Sequence, residues 1–174
     1  MRGLRCVFAM VMAASIFILC EGNSHSDGVV VIGEVFIEPG KDGDFSWMIQ
    51  QLQYRDVLFI FNDNEQQFKA HQDNPNAAKG CSAGGGNAVI RPYQCLIPPR
   101  AAGIPTGPNY KSLTPDAKDN IDEAINTIKS IVAREHYRRI MYSARDTSGA
   151  LGTQIFSPGD DVKEYIVRQL RAIR

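Results

Sequence analysis

Residues 56–64 read DVLFIFNDN, and this stretch decides the fold. Val57 to Phe61 is apolar at every position, with no alternation of polar and apolar side chains. A strand with one face in water alternates. A strand covered on both faces does not, and such strands belong to parallel sheets sandwiched between helices. The run stops at Asn62-Asp63-Asn64, a triplet suited to ending a strand and capping a helix. A buried strand followed at once by a helix is the first half of a βαβ unit.

Reading outward supports the same pattern. Glu65 to Gln72 can form a helix with Asp63 or Asn64 as its cap. Residues 73–87 are rich in Asn, Asp, Pro and Gly and read as turns. Ala88 to Arg91 is a short ordered piece, a helical turn or a strand, and Ala101 to Pro105 is the end of another strand. Thr114 to Glu135 is the clearest helix: Thr114 suits the cap, Pro115 the first helical position, and Ile121, Ala124, Ile125, Ile128, Ile131 and Val132 make one apolar stripe. Arg138 to Ala144 reads as a strand. Asp160 to Ile173 reads as a helix with Val162, Tyr165, Ile166, Leu170 and Ile173 inward. Toward the N-terminus, Gly28 to Glu38 is a Val- and Ile-rich strand, straight or bent at Gly33. Asp44 to Tyr54 carries Phe45, Met48, Ile49 and Leu52 on one helical face. Strands alternating with helices predict one α/β domain in three layers, with a mostly parallel sheet and helices on both faces. Ligands then bind at the carboxyl ends of the strands. Those ends are Asn62-Asp63-Asn64, Gly103 to Gly107 and Ser143 to Thr153, all polar or Gly-rich.

The first residues have the plan of a secretory signal peptide. Arg2 and Arg5 precede a 13-residue stretch, Val7 to Leu19, that is apolar apart from Ser15, and Cys20, Glu21, Gly22 and Asn23 follow. A membrane anchor is the alternative, but a spanning helix needs about 20 apolar residues. The expected organisation is a signal peptide over residues 1–22 and a domain over 23–174, acting outside the cell. Of 19 basic and 19 acidic side chains, removal of Arg2, Arg5 and Glu21 leaves 17 and 18, a formal charge of −1. That balance offers no basic field for nucleic acid. No membrane association is expected after cleavage, and a monomer is the expected state.

Cys6 and Cys20 fall within the signal peptide, and Cys81 and Cys95 remain. In an oxidising compartment such a pair is most simply a disulfide, worth about 3 kcal/mol for a loop of this size. Free thiols or a metal pair are the alternatives. Neither cysteine has a His or Cys at ligand spacing, and no zinc pattern or cofactor motif is present, so no metal or cofactor is expected.

Four segments carry candidate chemistry. In GCSAGGGNAVIR, residues 80–91, Gly84, Gly85 and Gly86 let backbone amides converge on an anion, with Asn87 and Arg91 completing the site. The plainer reading is a flexible loop tethered by the disulfide. In residues 102–110, Thr106 is a hydroxyl for a phosphate or ribose, or part of a turn into the long helix. In SARDTSGALGTQIF, residues 143–156, Gly149, Gly152 and Thr153 can wrap a phosphate or form a surface loop, and Asp146 is its one acidic residue. After the buried strand, Asp63 is a candidate base, with Asn64 orienting the ligand, or a helix cap. Nothing in the sequence assembles a Ser-His-Asp or Cys-His set. No Lys-Ser/Thr follows the glycines, so there is no Walker loop.

The order FIFNDN, GGGNAVIR, AAGIPTG, long helix, IMYSA and GALGTQIF resembles a family of small uncharacterised α/β domains of bacteria and phages, over roughly residues 56–170. Members pair Gly-Asp-Asn with a Gly-Gly loop, Ile-Arg, Gly-Ile-Pro-Thr and Gly-Leu-Gly-Thr. Here Asn62 stands before Asp63-Asn64, Ala150 replaces the glycine of the last motif, and the signal peptide and cysteine pair are departures. The family is distantly similar to the macrodomains, which implies macrodomain-like or Rossmann-like layering and an ADP-ribose-type ligand. The macrodomain Asn-Ala-Ala-Asn signature is absent, with Asn87-Ala88 a fragment of it. Two functions follow as expectations. One is a secreted domain that binds a phosphorylated nucleoside or similar small anion; if it is an enzyme, the expected reaction is hydrolysis at a phosphate or glycosidic linkage with Asp63 as the base. The other is a secreted effector or surface-interaction protein with no small-molecule site.

Overall fold

A computed structural model describes residues 28–174; the expected signal peptide lies outside the described residues. The sheet has four strands: β1 (Val30–Val35), β2 (Val57–Asn64), β3 (Ala101–Gly107) and β4 (Arg139–Ala144). Their order is β1-β4-β2-β3 and every pairing is parallel. Val30 faces Arg139, Val57 faces the same Arg139 on the other side, and Phe59 faces Ala101. The helices are α1 (Phe45–Met48), α2 (Glu65–Asp73), α3 (Ala78–Cys81), α4 (Pro115–Glu135) and α5 (Asp160–Arg171). Two 3₁₀ segments add Leu52–Tyr54 and Gly86–Cys95. No helix among the described residues is long and apolar enough to cross a membrane.

The unbroken apolar run of β2 is explained by a core on each face. Leu58 and Ile60 pack with Ile121, Ile125 and Ile128 of α4, with Val162, Ile166 and Leu170 of α5, and with Phe68 of α2. Val57, Phe59 and Phe61 pack with Phe45 and Met48 of α1, and with Ala88 and Ile90 of the second 3₁₀ segment. Phe45 and Phe59 meet edge to face, with ring centroids 5.2 Å apart. These are the three layers expected, although short helical pieces cover the second face. Burying each large side chain here contributes about 1.5–3 kcal/mol.

α4 begins as its sequence requires. Thr114 accepts from the Ala117 amide at 3.2 Å, Pro115 opens the helix, and His136 ends it in the left-handed region at φ 56°. At the start of α2, Asn64 is the cap, accepting from the Gln66 amide at 2.8 Å. Two expectations shift. β1 stops at Val35, and it runs through Gly33 without a bend; a Cβ on Gly33 would meet the Tyr142 hydroxyl at 2.8 Å. The helix expected over Asp44 to Tyr54 breaks after Met48, because Gln51 is extended (φ −88°, ψ 140°) and resets the helical phase. Leu52 is therefore 85% exposed, and Tyr54 takes the inward position.

Candidate functional site

The carboxyl ends of β2, β3 and β4 open into a cleft of about 620 Å³. Asn62 and Asn64 of β2, Thr106 of β3 and Ser143 of β4 line its floor. Its walls are the two Gly-containing loops: Gly84 to Asn87 on one side and Gly152 to Phe156 on the other. This is where a parallel sheet presents its ligands, and the volume falls within the usual range for small-molecule sites.

Asn62 links both walls to the floor. Its backbone amide donates to the Asn87 side-chain oxygen at 3.1 Å, and its own amide nitrogen donates to the Gly152 carbonyl at 2.7 Å. The walls also touch directly, since a Cβ on Gly85 would lie 2.7 Å from Ile155 Cδ1. Gly86 has φ +59°, which L side chains rarely adopt, and it opens the 3₁₀ segment with Gly85 as its cap. The backbone amides of Gly85, Gly86 and Asn87 reach no carbonyl among the described residues, as expected of a first helical turn. The glycine run therefore forms one wall of the cleft, with these amides free of backbone partners.

Beneath this wall lies a buried ion pair that the sequence did not connect. Arg91 Nε and Nη2 both donate to Asp63 Oδ1, at 3.0 and 2.6 Å, and Nη1 donates to the Ser82 carbonyl at 2.8 Å. The Asn64 amide also donates to Oδ1, at 2.8 Å. The guanidinium sits 5.7 Å from the centre of the Phe61 ring. Gly84 makes room for it, because a Cβ there would lie 2.8 Å from both Nη1 and Nη2. Asp63 is 0% and Arg91 2% exposed. Burial pushes the Asp63 carboxyl above the usual aspartate range, and Arg91 pulls it part of the way back.

This geometry corrects two expectations. Asp63 has no surface on the cleft, so it is not placed to take a proton from a ligand there. Arg91 does reach the cleft wall, but its charge is spent on Asp63 and is not a free cation for a phosphate. Thr106 lines the floor, yet it is 1% exposed, with its hydroxyl 3.5 Å from the Asp63 carbonyl. Gly152 and Thr153 are on the wall. Gly149 and Asp146 lie elsewhere: the Gly149 carbonyl accepts from the Tyr142 hydroxyl, and Asp146 pairs with Ser148 and Arg145, which hold its carboxyl at about 2.

The structure adds a third wall from the start of α1, with Asp44, Phe45 and Ser46, and an apolar rim with Phe36, Val89, Ile155 and Phe156. Burial works to raise the Asp44 carboxyl, but hydrogen bonds from Ser46, Gly40 and Trp47 hold it below the ordinary aspartate value. Among the described residues, Asp44 and Arg91 are the charged side chains lining the cleft. The sequence signal for this wall was the Asp-x-Ser start of a helix, which also reads as a plain cap.

The cysteines form the expected bridge, with Cys81 and Cys95 joined and their Cα atoms 6.0 Å apart. It ties the end of α3 to the end of the 3₁₀ segment and closes the 14-position loop that carries the three glycines. Spacing along the chain hid a neighbour of this bridge: α2 brings His71 Nδ1 to 3.8 Å from Cys95 Sγ. Comparison with known protein families, with curated proteins and with solved structures finds no match to this chain.

Proposed function

We propose that the cleft binds a small phosphorylated nucleoside, with the phosphate against the Gly85–Asn87 amides and the uncharged part against the aromatic rim. The observation that carries this reading is the meeting of two Gly-containing loops over the carboxyl ends of parallel strands, tied together through Asn62. Backbone amides at the start of a helical segment favour an anion. Phe36 and Phe156 offer flat apolar surface for a base. Asn62, Asn64, Asn87 and Thr153 offer amides and a hydroxyl for a sugar. With Arg91 neutralised and Asp44 present, the cleft suits a ligand of low charge, a monoester or diester, better than a polyphosphate. That chemistry is compatible with the resemblance to the macrodomain-like family. The proposal is limited to binding, because Asp63 is off the cleft.

A thermal-shift and calorimetric series with adenosine, AMP, ADP-ribose, ATP and ribose 5-phosphate tests it. A ligand at 100 times its dissociation constant adds about 2.7 kcal/mol of stability. AMP or ADP-ribose is expected to shift the transition, and Asn87→Ala to abolish the shift. No shift with any of the five ends the reading. The exposed apolar side chains Phe36, Ile37, Val89 and Ile155 favour a second reading, in which this face docks on another protein. Action after export is part of the same proposal. It rests on residues 1–22 and is tested by N-terminal sequencing of the protein recovered from the medium or periplasm.

A further inference from the structure

α2 and α3 pack so closely that a Cβ on Gly80 would lie 2.8 Å from the Cα and Cβ of His71. This contact sets Cys81 beside the imidazole. A ring nitrogen of His71, Cys81 Sγ and Cys95 Sγ all lie within 4.8 Å of one another, and all three residues are half-buried. Ligands of a tetrahedral ion with bonds of about 2.0–2.3 Å sit about 3.3–3.8 Å apart, so the three donors already occupy nearly one coordination shell. His71 and Cys95 face a groove that Asp119, Asp122 and Glu123 of α4 also line. Those carboxylates raise the local concentration of cations.

We propose that, when the Cys81–Cys95 bridge is reduced, His71, Cys81 and Cys95 bind one borderline-soft divalent ion of the zinc class. The bridge and the ion are then alternative occupants of one place. A reductant supplies two electrons: two thiols become a disulfide and give up their two protons, or a phosphine becomes its oxide, with one water giving the oxygen and two protons; the S–S bond breaks and each cysteine gains one of those protons. The ion next takes both sulfurs as thiolates, releasing those two protons to solvent, and the neutral imidazole nitrogen as a third ligand. The groove leaves the fourth position to water, the arrangement of three protein ligands and one open place. This inference is independent of the ligand proposed for the cleft.

The test reduces the full chain with a phosphine and titrates it with Co²⁺, then Zn²⁺. The reduced chain is expected to bind one Co²⁺ with sulfur-to-cobalt charge-transfer absorption, which Zn²⁺ displaces, and to release about two protons per Zn²⁺. The oxidised chain and the Cys81→Ser/Cys95→Ser variant are expected to show no such band. His71→Ala and the polar variant His71→Gln are expected to weaken binding by about tenfold or more. Circular dichroism follows the fold throughout, and any structure lost on reduction is expected to return with Zn²⁺. The proposal is overturned if the reduced chain binds no more Co²⁺ than the oxidised one. It is equally overturned if both His71 variants keep wild-type affinity, or if a reduced, unfolded chain is not restored by Zn²⁺.

Discussion

Arg91 delivers two of its N–H groups to the same carboxylate oxygen of Asp63, and the other oxygen, Oδ2, has no hydrogen-bond partner among the described residues. The pair sits directly under the Gly84 wall of the cleft. Removing one partner leaves the other buried and uncompensated, which costs about 3–5 kcal/mol. Asp63→Ala and Arg91→Ala are each expected to lower stability by that order, measured by urea unfolding. The Asp63→Ala/Arg91→Ala double variant is expected to lose less than the sum of the two, since the penalty of an orphaned charge disappears.

Gly103 in β3 is the neighbour of that unpaired oxygen. A Cβ there would lie 2.8 Å from Asp63 Oδ2 and 3.0 Å from the Phe61 ring. Gly103→Ala is therefore expected to destabilise the fold by about 1–3 kcal/mol through overpacking. A thermal melt of the variant checks this, and an unchanged midpoint would show that the sheet has room to adjust.

Gly107 separates the fold from the site. A Cβ there would overlap the Phe156 side chain, and Phe156 belongs to the cleft wall. Gly107→Ala is expected to displace that wall. It should weaken binding of an AMP-type ligand about tenfold while lowering stability less than Gly103→Ala does. Calorimetry paired with unfolding measures both, and equal binding by wild type and variant would remove Phe156 from the site.

The Asn62 side chain is expected to govern order in the wall of residues 152–156. Asn62→Ala removes the bond to the Gly152 carbonyl, a net loss of about 0.5–1.5 kcal/mol. Amide hydrogen exchange is expected to accelerate at residues 152–156 more than in α4. Uniform acceleration would mean that the bond supports the whole fold rather than the wall.

The acid limb of stability depends on Asp56 and Arg139. The Arg139 guanidinium hydrogen-bonds the Asp56 carboxylate and holds its pKa below the ordinary 3.8. A depressed carboxyl contributes stability above its unfolded pKa and loses it as pH falls through the folded value. The contribution is thus expected to be complete above about pH 5 and to fade below about pH 4. Both side chains are about one-third exposed, so screening keeps it under about 1 kcal/mol. Comparing wild type with Asp56→Asn across that range should show the two curves converging at low pH.

The sequence revealed what depends on near neighbours. Val57 to Phe61 showed two-sided burial, Thr114-Pro115 showed a helix start, and the polar strand ends at Asn62, Thr106 and Ser143 marked the mouth of the sheet. It hid whatever depends on residues far apart in the chain. Asp63 and Arg91 each looked free for a ligand because nothing local shows that one neutralises the other. His71 stands 10 and 24 positions from the two cysteines, outside any metal-ligand spacing, and only the packing of α2 on α3 joins them. Leu52 misled for the opposite reason: its spacing was helical, but the extended Gln51 had already broken the helix.

The placement of β4 between β1 and β2 also sets when this protein can fold. Val30 finds its sheet partner only at Arg139, 109 positions later, and Val57 pairs with that same residue. A nascent chain that has not yet produced residues 139–144 can join β2 to β3 but has nowhere to put β1. High contact order of this kind slows folding and leaves strand edges open meanwhile. Completion of the sheet is thus delayed until β4 has been made, and a chain truncated before residue 139 would carry β1 as an unpaired, Val-rich segment prone to association.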